Sequence, residues 1–209
     1  MEQATGGSQN TAIGFSALRY NSTGTGNTAL GYQALLRNTS GSRNTAVGSK
    51  ALKENTLGID NTAIGYLTLS SNLDGDFNTA IGHSALEKQT TGNSNTAIGV
   101  FALKNLISGS NNTAIGKSSL GITTGGSGNT ALGSAALFNT TDGHQNTAMG
   151  YEALYSNTLG DNNTAIGYQA LYNNTTGSNN TGIGSFTKLG TSALSNATAV
   201  GSRAQVDQS

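Results

Sequence analysis

The Asn-Thr-Ala-Ile-Gly unit at 10–14 returns, with small substitutions, at Asn27, Asn44, Asn61, Asn78, Asn95, Asn112, Asn129, Asn146, Asn163 and Asn180, always seventeen residues on. A weaker copy, Ala197-Thr198-Ala199-Val200-Gly201, keeps the same register. Twelve copies without an insertion or deletion mean that every turn of the chain must fit one template. Globular folds drift in loop length, whereas a solenoid whose coils stack on one another cannot. Residues 1–204 therefore read as a single repeat domain, with a degenerate coil over 180–204. Residues 205–209 read as a tail leading to a missing or capping segment.

Counting from the Asn, the consensus is Asn-Thr-Ala-Ile-Gly-x-x-Ala-Leu-x-x-Asn-Thr-x-Gly-x-x. Position 4 is always apolar, from Ile13 to Val200, and position 9 is Leu from Leu18 to Leu171. Two Gly per coil oppose a helix, where each costs about 1 kcal/mol relative to Ala. Short strands bounded by Gly and Asn fit better. The expected fold is all-β: a parallel β-roll or β-solenoid of about twelve 17-residue coils, spaced roughly 4.8 Å apart and about 55–60 Å long.

Within a coil, Thr-Ala-Ile reads as one strand and positions 7–9, such as Gln33-Ala34-Leu35, as a second. Gly at position 5 turns the chain between them. The Asn-Thr-x-Gly stretch, such as 174–177, reads as the return turn, its Gly taking positive φ. Alternation along the first strand puts Thr and Ile on one face and Asn, Ala and Gly on the other. Asn on Asn in successive coils can donate and accept, so a ladder satisfies itself where water is excluded. Which face holds the core is open at this point.

Composition closes off several functions. Hydrophobic residues are 34% and charged residues 10%, with zero formal net charge and no Pro. Such a balance lacks the basic footprint of a nucleic-acid binder. Without Cys there is no disulfide framework. No stretch reaches the ~20 apolar residues of a membrane-spanning helix, and Met1-Glu2-Gln3 runs into the repeat without a signal-peptide pattern. No direct membrane insertion is expected. The abrupt ends read as an excerpt of a longer chain or as a small rod built into an assembly.

Asn-Thr-Ala-Ile-Gly-x-x-Ala-Leu resembles the head repeat of trimeric autotransporter adhesins, the haemagglutinin-type unit Asn-Ser-Val-Ala-Ile-Gly-x-x-Ala. It is also similar to repeats of phage-type tail fibres and bacterial surface fibres. The resemblance covers about residues 8–204. It implies a left-handed roll, a homotrimer, an extracellular place on a cell surface or on a virion or injection-machine fibre, and adhesion to a glycan or protein receptor. Three departures stand out. The family unit is nearer fourteen residues, Thr replaces Val at position 2, and neither signal nor anchor, stalk nor barrel lies in this chain.

No catalytic constellation is found: His83 and His144 lie several coils apart, and the abundant Ser and Thr lack His and Asp partners. The chain reads as a non-enzyme without cofactor or metal. Asp60, Asp74 and Asp76 fall close together in adjacent coils and could hold a hard cation, but read first as solvated turn carboxylates. The candidate surface-binding residues are Tyr151 and Tyr168 at position 6 and Tyr155 and Tyr172 at position 10, two pairs stacked between coils; Phe15, Tyr32 and Tyr66 repeat position 6. Amphipathic rings suit protein or glycan contacts, but these read first as rings that cover the turn or pack between chains of a trimer. Regular Thr columns raise a rival expectation, a monomeric β-solenoid ice-binding (antifreeze) protein. Its second column is Thr39, Thr56, Thr90, Thr124, Thr141, Thr158 and Thr175 at position 13.

Overall fold

The structure, a computed structural model, describes residues 7–208. The first six residues of the expected domain and the last of the expected tail lie outside the described residues. Every Thr-Ala-Ile segment forms a strand: β1 (Thr11–Ile13), β2 (Thr28–Leu30), β3 (Thr45–Val47), β4 (Thr62–Ile64), β5 (Thr79–Ile81) and β6 (Thr96–Ile98). β7 (Thr113–Ile115), β8 (Thr130–Leu132), β9 (Thr147–Met149), β10 (Thr164–Ile166) and β11 (Thr181–Ile183) continue the series. The C-terminal coils hold β12 (Lys188–Leu189), β13 (Thr198–Val200) and β14 (Gln205–Val206).

β1 to β11 and β13 form one twelve-stranded sheet in sequence order, and β12 pairs with β14. All pairing is parallel, and in the large sheet Thr lies on Thr and Ala on Ala, as at Thr28↔Thr45 and Ala29↔Ala46, except where Gly182 takes the Ala place. The chain is a parallel β-solenoid of about twelve coils with about seventeen residues per turn, and no helix occurs among the described residues.

The core is narrow. Ala29, Ala34 and Leu35 of one coil are fully buried, and the same three positions are buried through most of the stack. Asn at position 1 and Asn at position 12 complete it, as with Asn27 and Asn38 at 0% exposure. The Ala face is thus the inner one, and Thr and Ile point outward. Packing is adjusted locally. Gly182 replaces Ala at position 3 where Thr187 replaces Ala at position 8, and a methyl at Gly182 would meet Thr187 Oγ1 at 2.7 Å and Leu171 Cγ at 2.5 Å.

Two local expectations are overturned. Positions 7–9 are not a strand. Positions 7 and 9 both take left-handed backbone, Gln33 at φ 56° and Leu35 at φ 48°, and the pattern recurs along the chain. A left-handed residue costs about 1–2 kcal/mol, while burying a Leu returns about 1.5–3 kcal/mol, so the buried column offsets its own strain. The backbone is still satisfied between coils: Leu35 N–H donates to Ala51 O at 3.0 Å and Arg37 N–H to Lys53 O at 3.0 Å.

Gly at position 15 does not use positive φ; position 17 does, at Arg43, Asp60 and Phe77 among others. Position 15 is Gly because of crowding. A methyl at Gly109 would collide with the carbonyl oxygen of Gly126 in the next coil.

Candidate functional site

Three outward features survive once the core is accounted for. The first is the sheet face. Its Ile column runs from Ile13 at 60% exposure through Ile64 and Ile115 to Val200 at 64%. Thr at position 2 stands two residues away in a parallel column, partly exposed in most coils. The face carries no charged residue from β1 to β11.

The second is the pair of aromatic columns on positions 6 to 10, across the core from the sheet. Tyr151 and Tyr168 stack with centroids 5.3 Å apart, and Tyr155 and Tyr172 at 5.1 Å with planes 1° apart. Inter-coil spacing near 4.8 Å enforces this contact wherever aromatic side chains share a column. Phe138 and Phe186, which the sequence reading passed over, lengthen both columns. Phe138 stacks on Tyr155 at 5.4 Å, and Phe186 meets Tyr168 edge-on at 5.1 Å. Phe138 shares position 10 with Tyr155, so its column was visible in the repeat. Phe186 sits at position 7, one place out of register, which hid it.

Glu152 tunes this patch. It accepts from Gln169 Nε2 at 2.7 Å, and its hydrogen bond and then its charge hold the Tyr151 hydroxyl above the usual tyrosine range. The Tyr172 hydroxyl is also raised, first by burial against the coil and then by Glu152. Toward the other end Phe15 stacks on Tyr32 at 5.8 Å, while Tyr66 contacts His83 and His83 contacts Phe101.

The third feature is the acidic turn. Asp60 is held by Arg43, whose Nε and Nη2 each donate at 2.7 Å. Asp76 Oδ1 accepts the Ile59 N–H at 2.8 Å. These two carboxylates therefore serve the stack, and among the described residues no three His, Asp or Glu are grouped as a metal would require. Asp76 belongs to a position 16 ladder of acceptors, in which Ser42, Asn93, Ser110, Ser127, His144 and Asp161 each take the N–H of the preceding coil. His144 lies in that ladder and His83 among aromatic rings, so the two imidazoles share no site.

Compared with known proteins, the chain matches no family model and no curated protein. No helix of the described residues is long and apolar enough to cross a membrane.

Proposed function

We propose that the chain is a segment of a structural fibre or adhesin that assembles with copies of itself through the Thr–Ile face. That assembly leaves the aromatic side free for a host, receptor or assembly partner. The observation that carries this reading is the sheet face: one apolar residue per coil, exposed or half-exposed in register along twelve strands, with Thr beside it. Contiguous exposed apolar surface of this extent marks an interaction surface. The repetition suits a partner with the same repeat, whose own columns advance at the same spacing. The left-handed, three-chain roll implied by the adhesin-head resemblance is the arrangement proposed, with a place outside the cell or on a virion.

Light scattering on the purified chain tests it. Three chains per particle are expected, and a single-chain mass overturns the proposal. Replacing Ile81 and Ile115 by Glu should dissociate the particle while the circular dichroism of the β-solenoid persists, because neither side chain belongs to the core.

One observation favours a second reading. Thr and Ile columns in register on a regularly stacked sheet also suit an ice-binding monomer. Thermal hysteresis by a single-chain species would select that reading.

A further inference from the structure

The Tyr column at position 10 stops abruptly, and the reason lies in the core. In the eleventh coil the buried register slides by one residue. Lys188 occupies the Leu position and is exposed, whereas Leu189, at the place where Tyr172 and Tyr155 stand in earlier coils, is 2% exposed. β12 and β14 pair there, Lys188 beside Gln205. No ring continues the column, so the face of Tyr172 turned away from Tyr155 borders a cavity of about 430 Å³ lined by Gln169, Tyr172, Asn173, Phe186 and Lys188. A second cavity, about 390 Å³, shares Phe186 and Lys188 and adds Arg203 and Gln205.

The polar groups around these cavities are unevenly used. Asn173 Nδ2 donates to Leu189 O at 2.9 Å, which fixes the amide, while its Oδ1 is shut off from water without a partner. Lys188 and Arg203, like Lys50, Lys88 and Lys117, have no carboxylate within ion-pair distance among the described residues, but they are the two that line these cavities. The nearby carboxylates are engaged by amides: Glu152 by Gln169, and Asp207 by Gln205 at 2.6 Å.

We propose that this step in the core register creates a binding site for a carboxylated pyranose of a glycan. The apolar C–H face of the sugar lies on the free ring of Tyr172, with Phe186 as a side wall. The carboxylate reaches across Phe186 to Lys188 and to the Arg203 guanidinium, whose planar fork matches it. A neutral sugar leaves both cations unused, and a bare phosphate leaves the ring face unused. Each of the two cavities is an open cleft at the lower end of the size range of small-ligand sites. The proposal deepens the adhesin reading by naming a ligand class for the aromatic side. It is measured by binding, so its failure is distinct from a failure of self-association.

Saturation-transfer NMR and calorimetry on the whole chain provide the test, with methyl glucuronide and N-acetylneuraminate as probes and methyl glucoside and inorganic phosphate as controls. At least one carboxylated sugar should bind on the order of tenfold more tightly than methyl glucoside, and added salt should shrink that preference. Tyr172→Ala should abolish binding, Arg203→Ala and Lys188→Ala should erase the preference for the carboxylate, and Tyr66→Ala should change nothing. All four side chains are exposed, and unchanged circular dichroism confirms the fold. Equal affinity for the neutral sugar, binding that survives Tyr172→Ala, phosphate binding as tight as that of the sugars, or no saturation transfer from either probe overturns the proposal.

Discussion

An asparagine amide has two donors and two acceptor lone pairs, and position 1 uses nearly all of them. Asn112 Nδ2 donates to Asn95 Oδ1 at 3.1 Å and to Gly126 O at 2.8 Å, while its own Oδ1 accepts the Asn129 N–H at 3.0 Å. Asn112→Ala strips partners from a carbonyl and an N–H in a dry interior. Each orphaned group costs about 1–3 kcal/mol, so a loss of roughly 2–5 kcal/mol is expected in chemical denaturation. The position 12 ladder is less regular: Gln89, Leu106, Thr123 and Thr140 interrupt it, and Thr123 Oγ1 and Thr140 Oγ1 are left without partners. Thr140→Val should therefore be close to neutral or stabilising in the same assay, since it removes an unpaired hydroxyl at constant shape.

On the surface, Arg43 holds the Asp60 carboxyl below its ordinary range, by hydrogen bonding first and by charge as a smaller cause, against some desolvation. A depressed folded-state value means that the pair stabilises the fold above the unfolded Asp value near 3.9 and ceases to do so as pH falls through the depressed one. The melting temperatures of wild type and Asp60→Asn should therefore differ slightly at neutral pH and converge in acid. An exposed pair is screened by salt, so the difference should also narrow at high ionic strength.

At the scale of the coil, much was legible and one side was misread. Thr-Ala-Ile reads as a strand because its alternation is regular and Gly closes it, and the strand is there in every copy. Inward Ala and outward Ile follow from the thin core, in which facing Ala and Leu leave no room for a second large residue. The Gln33-Ala34-Leu35 type of segment misled because Leu is a residue that avoids left-handed backbone. Nothing in its identity announces φ near 50°; only the tertiary stack compensates the strain. The aromatic columns were legible through shared positions, but the exposed face of Tyr172 was not. It arises from the slide between Lys188 and Leu189, a packing event that the repeat spacing conceals.

The glycines divide by cause in the same way. Gly116 has φ +133°, and a methyl there would lie 2.5 Å from Gly133 O. Gly109 has ordinary backbone but the same kind of inter-coil collision. Gly109→Ala should thus be as damaging as Gly116→Ala, each lowering stability by at least about 2 kcal/mol, since the obstacle is backbone that cannot step aside. A well-tolerated Gly109→Ala, read by thermal melting, would show that coils can separate locally.

For the molecule as a whole, the pairing Thr96↔Thr113 states that one coil can replace another. Deleting residues 96–112 joins Asn95 to Thr113 in phase, and the shortened protein is expected to fold with a similar circular dichroism spectrum per residue. Deleting 97–112 instead places Thr96 directly before Thr113, shifts every later residue by one, and exchanges the Ala and Thr faces on one side of the junction. That variant should lose cooperativity or precipitate. The comparison isolates phase from length.

Most backbone N–H groups on the long sides of a coil bond to the coil above or below: Thr28 to Asn44 O, Gly31 to Ile13 O, Gln33 to Phe15 O. A turn of this chain therefore has little cohesion of its own and borrows its shape from its neighbours. Digestion from a frayed end should consequently release material in quanta of one repeat, each loss exposing another borrowed edge, and the gel should show evenly spaced rungs in place of a single resistant fragment.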